Sequence, residues 1–165
     1  MEDLLRALQQ PEYVHVLLNH LPVVGLFSGL FVLLIAFFQK SRATAVAAYC
    51  LIVLMSLTVF PLMRTGEQAV DQVESLMDKP SRVWLEIHGS RADRTAWIYY
   101  ATAVLAAAGV VLPRYVSKSA PFLLWAVFFT GALALGAGVW IASAGGKIRH
   151  SEFRISVDPS AGIGN

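Results

Sequence analysis

Four histidines are the residues of this chain best suited to chemistry: His15, His20, His88 and His150. Neutral imidazole is the common ligand of haem iron and of zinc, copper or non-haem iron. His15 and His20 open a long apolar run, within its first ~8 Å at the helical rise. His88 precedes a third apolar run, and His150 follows a fourth. Residues five apart are turned ~140° around a helix. A straight helix therefore cannot offer His15 and His20 comfortably to one ion. Pro22 could loosen that turn, but the simpler expectation is two different partners, His88 and His150. Two bis-histidine pairs would hold two b-type haems, and one pair would hold one.

The elements that position these side chains are read from composition. Of 165 residues, 56% are hydrophobic and 15% charged, with a mean hydropathy of +0.60. A soluble domain carries about 25% charged residues. Four segments approach the ~20 apolar residues needed to cross a bilayer: about 13–38, 43–63, 95–112 and 120–144. The expected fold is an all-α integral membrane protein, an antiparallel four-transmembrane-helix bundle in a single membrane domain spanning 1–165. The short links Gln39–Arg42 and Pro113–Ser119 make helix one a neighbour of helix two, and three a neighbour of four. Between helices two and three lies a loop, 64–94, with helical pattern of its own. In GEQAVDQVESLM the apolar and acidic residues separate onto two faces. Ser81 is a candidate cap for SRVWLEIH. The tail 151–165 reads as irregular.

Up-down topology puts all four histidines at one end. The opposite end carries Lys40, Arg42, Arg114 and Lys118 in its two short loops, with no acid. A raw count of Lys and Arg would put the long loop in the cytoplasm. The density of basic residues beside the first helix argues the reverse, and the first helix usually dominates. Both termini and the histidine cluster are therefore expected outside the cytoplasm, the chain being a multi-pass protein of the bacterial inner membrane. The acidic start, MEDLLRALQQPE, lacks a signal peptide's basic region and cleavage site, so the first helix is expected to be retained.

Several classes are excluded or weakened. A net charge of +2 does not mark a nucleic-acid partner. The single Cys50 cannot build a disulfide framework, a cysteine-rich zinc site or a c-type haem attachment. No phosphate-cradling glycine motif or nucleophile elbow points to a transferase or hydrolase. Trp97, Tyr99, Tyr100 and Trp140 read as an aromatic belt on the histidine side, with Tyr115 on the other. Glycine and alanine in helices one, three and four, including Gly25-x-x-x-Gly29, suit close helix packing and, less directly, a flat cofactor. Glu67, Asp71 and Glu74 read as a solvated face able to meet a basic partner such as a soluble cytochrome.

At HVLLNHLPVVG the chain resembles a small bacterial family of four-helix membrane proteins whose activity is not assigned. Its members open close to His-Pro-Leu-Leu-Val-His-Phe-Pro-Ile; His15, His20 and Pro22 keep that spacing, while Val16 and Leu21 depart from it. Thr65, Gly66 and Glu67 match a Thr-Gly-Glu start to the loop. Gly145 and Gly146 match a Gly-Gly after helix four, followed by a basic and His-containing stretch, Lys147 to His150. A His-Glu pair of a related branch is here His88-Gly89. The resemblance implies a four-helix bundle and haem or metal binding at the same histidines, with a carboxylate ligand after His88 lacking.

The leading expectation is a membrane cytochrome with haem b held by His15, His20, His88 and His150 as axial ligands. It would pass electrons between a membrane donor and an extracytoplasmic partner, or act within a respiratory complex. Arg149, Lys147 or Arg91 could pair with haem propionates. Two alternatives stand beside it. One is a non-haem transition-metal site or transporter using the same histidines with Glu67, Glu74 or Glu152. The other is a structural subunit of a larger membrane complex.

Overall fold

A computed structural model describes residues 2–154. Within them the chain forms α1 (Glu2–Ala7), α2 (Pro11–Leu18), α3 (Leu21–Gln39), α4 (Arg42–Leu57), α5 (Val59–Glu74), α6 (Lys79–Val111) and α7 (Ser119–Arg149). Short 3-10 turns follow α6 (Leu112–Arg114) and α7 (Ser151–Arg154). Beyond that turn, the part of the tail expected to be irregular lies outside the described residues. Four stretches are long and apolar enough to cross a membrane: Pro11–Gln39, Arg42–Glu74, Lys79–Arg114 and Ser119–Arg149.

Two prolines divide the first two spans. A proline lacks the N–H that would reach the carbonyl four residues back, and its ring crowds that carbonyl. Pro22 acts on Leu18, the last residue of α2, and Pro61 on Leu57, the last residue of α4. Both breaks fall toward the histidine end. There α2 and α5 pack on each other, and α6 packs on α7 along the bundle. In the body, α3 lies against α4 and α7, and α6 lies against α4 and α7, a square of antiparallel neighbours.

The segment 64–94 is not a loop. The second span continues as helix to Glu74 and the third begins at Lys79, so the true connection is 75–78. Polar residues end the hydrophobic run at Arg64 without breaking the backbone. Pro80 sits in the first turn of α6, where its missing N–H costs nothing. The cap of that helix is Asp78, not Ser81: its carboxylate accepts the Ser81 backbone N–H at 2.8 Å. Glu67, Asp71 and Glu74 are exposed.

Inside the bundle, glycines receive large buried side chains such as Leu30, Tyr49 and Ile52. Gly25 faces Met55, Gly29 faces Ile52, Gly109 faces the Tyr49 ring, and Gly131 faces Leu30. In these spans the glycines serve helix packing, which in lipid rests on close van der Waals fit. Phe27, Phe31, Phe38, Phe122 and Phe129 point outward, as does Cys50. Trp97, Tyr100 and Trp140 are on the outer surface, but Tyr99 is not part of that belt. It is buried, with its hydroxyl over Gly138.

Candidate functional site

The site is built where the pair α2 and α5 meets the pair α6 and α7. His15 projects from α2, and its Nδ1 lies 3.0 Å from the carbonyl oxygen of Leu62 in α5. His88 projects from α6, and its Nδ1 lies 3.1 Å from the carbonyl oxygen of Ile141 in α7. A carbonyl can only accept, so each Nδ1 carries the ring proton and donates it. In the neutral ring this is the Nδ1–H tautomer, in which Nε2 carries the lone pair. Histidine ligands of metals are commonly oriented by this bond.

Each ring also rests on a glycine. A Cβ on Gly66 would stand 3.0 Å from Cε1 and Nδ1 of His15; one on Gly145 would stand 3.2 Å from the same atoms of His88. In both cases the glycine lies four residues after the accepting carbonyl, on the same face of its helix. The two seats are thus the same device, built twice. They bring the ring centroids to 6.3 Å of each other, with the planes at 80°.

Two buried polar atoms flank this pair. Glu12 Oε2 and Trp84 Nε1 have no hydrogen-bond partner among the described residues. Glu12 precedes His15 by three residues and Trp84 precedes His88 by four. Each therefore stands about one turn further toward the end of the bundle, on the face of its histidine. The Lys147 ammonium lies 4.4 Å from the centroid of the Trp84 ring.

Two arginines fix α6 and α7 around the site. Arg91 stacks on Trp140 at 4.4 Å and donates to the Trp140 carbonyl at 2.7 Å. Arg154 donates to the carbonyls of Lys147 and Ile148, to the Ser81 hydroxyl at 2.8 Å, and to Asp78. The Asp78 carboxyl is held below its ordinary range, first by its bonds from Ser81 and then by Arg154. Arg154 had no sequence signal beyond a basic residue in a tail.

Of the four histidines, His15 and His88 are brought together. His20 is exposed at the Pro22 break, just before α3. His150 bonds Glu152 at 2.9 Å and lies against Phe153. Arg149 is exposed, whereas Lys147 and Arg91 are engaged with the two tryptophans. Among the described residues, no three His, Cys, Asp or Glu side chains are grouped to hold a metal. Comparisons with family models, curated proteins and solved structures found no match to this chain.

Proposed function

We propose that the chain is a membrane cytochrome carrying one haem b between His15 and His88. The observation that carries this reading is the shared arrangement of the two imidazoles, each donating from Nδ1 to a carbonyl of the neighbouring helix, so that in the neutral ring Nε2 is the atom left to ligate. Were the two imidazoles to share one metal at ~2.0–2.1 Å from each ligating nitrogen, their centroids would stand about 6 Å apart. The 6.3 Å separation is of that size. Two ligands suit a haem, whose macrocycle supplies the equatorial nitrogens, better than a bare ion, which wants four or more. A non-haem site with Glu67 or Glu74 draws no support, since both carboxylates are exposed.

In this reading His15 and His88 would hold the haem, and the carbonyls of Leu62 and Ile141 would raise the basicity of both imidazoles, a lever on redox potential. The exposed Arg149 is available to a propionate or to an acidic partner. The face of Glu67, Asp71 and Glu74 is available to a basic electron-transfer partner. The protein would sit in a bacterial inner membrane with this end outside the cytoplasm, alone or within a larger respiratory complex. The test is titration of purified protein with haem. Saturation near one haem per chain, with a reduced-minus-oxidised alpha band, supports the reading; no Soret or alpha band with haem supplied overturns it.

A further inference from the structure

The opposite end of the bundle holds a second feature that the haem reading does not use. A cavity of about 520 Å³ opens between the C-terminal end of α3 and the first turns of α4 and α7. One side is apolar, with Phe37, Leu124 and Trp125. The other carries Lys40, Arg42 and Tyr49.

Three observations say what such a cleft would take. First, Tyr49 is 2% exposed and lines the cavity, and its hydroxyl makes no hydrogen bond among the described residues. Its oxygen is thus open to a partner from outside the described residues, as a phenol at an apolar wall ordinarily has one. Second, Arg42 spends two N–H groups on the carbonyls of Gly109 and Val110, at 2.8 and 2.7 Å. A guanidinium has five, so three remain. Third, the two loops at this end carry Lys40, Arg42, Arg114 and Lys118 and no acid. Lys40 terminates α3 in the left-handed region, φ 52°, and is exposed at the rim.

A site with an apolar wall, an unpaired tyrosine hydroxyl and two cations at the end of a membrane-length helix fits an amphiphile with an anionic head. Basic pockets between spanning helices bind acidic lipid headgroups in this way. We infer that the cleft binds one anionic membrane phospholipid. Its phosphate lies at Lys40 and Arg42, an ester or glycerol oxygen reaches Tyr49, and an acyl chain lies along Phe37, Leu124 and Trp125. The inference is independent of haem.

The test is native mass spectrometry of delipidated protein titrated with phosphatidylglycerol or phosphatidylcholine of matched chains. Phosphatidylglycerol should bind about tenfold more tightly, and the double variant Lys40→Gln/Tyr49→Phe should remove most of that difference. Ala120→Leu, which narrows the apolar side at the start of α7, should weaken both lipids in a protein whose thermal unfolding is unchanged. Inorganic phosphate alone should not displace the lipid. Equal affinity for the two lipids, an unchanged preference in the double variant, or displacement by phosphate would each overturn the inference.

Discussion

The ring centroids of His15 and His88 lie 6.3 Å apart with planes at 80°, although 73 positions separate the two residues in the chain. Neither ring is held by its own helix. Each is fixed by the helix beside it, through one carbonyl and one glycine on the same face. The proline break before α3 and the matching break before α5 place α2 against α5, which makes the His15 half of the arrangement possible.

The glycine seats separate ligand geometry from stability. Gly66→Ala or Gly145→Ala puts a methyl group within 3.0 or 3.2 Å of an imidazole, so the ring must move by a few tenths of an ångström. Alanine also favours the helix over glycine by ~0.8–1 kcal/mol. Thermal unfolding should therefore change little or rise, while haem affinity falls. Parallel melting and haem titration check this; unchanged affinity in both variants would remove the seats from the account.

Glycines within the spans should behave differently. A Cβ on Gly109 would lie 2.8 Å from the Tyr49 ring, and one on Gly29 would lie 2.6 Å from Ile52. Both neighbours are fully packed and cannot step aside as a half-buried imidazole can. Gly109→Ala and Gly29→Ala should each destabilise by about 1–3 kcal/mol, the usual cost of overpacking. Denaturation in mixed micelles measures it.

Arg42 closes the C-terminal end of α6, whose last carbonyls have no partner within the helix. Its two charge-assisted bonds to Gly109 and Val110 depend on the fork of the guanidinium. Arg42→Ala should cost about 1–2 kcal/mol, and Arg42→Lys should recover less than half, because an ammonium cannot span both carbonyls. Equal stability of the Lys variant and wild type would contradict the fork.

Asp78 predicts an acid-sensitive joint between α6 and α7. Its pKa is lowered in the folded chain, so the folded state favours the ionised form. The stability it contributes is fully present above its unfolded value, near 3.9, and is lost as pH falls through the lower folded value. Asp78→Asn should remove that part of the acid dependence and loosen the tie to Arg154. Melting temperature followed from pH 6 to pH 3, for both proteins, gives the comparison.

The spans were legible in the sequence because an uncharged run such as 13–38 has no other good solvent than lipid or a core. Hydropathy stopped short of the backbone, however. Arg64 and Glu67 end the apolar run, yet nothing there breaks the helix, so the helical pattern of 64–94 belongs to the spans themselves and not to a separate helical loop. Tyr99 matched the composition of a surface belt, and only its position over Gly138 reveals it as core. For the site, residue type singled out the histidines, but spacing along a straight helix could not pair them. The pairing depends on the Pro22 break and on carbonyls from other helices, which leave no trace in local sequence. Gly66 and Gly145 stood out only as parts of short motifs with no role attached.

The most direct test of the central claim is a visible absorption series on haem-reconstituted wild type and the four single histidine-to-alanine variants. A bis-histidine haem held by His15 and His88 predicts a low-spin spectrum with a sharp reduced alpha band in the wild type. His20→Ala and His150→Ala should retain it, while His15→Ala and His88→Ala should each lose it. An alpha band that survives the loss of His15 or His88, or that disappears with His20 or His150, would contradict the account.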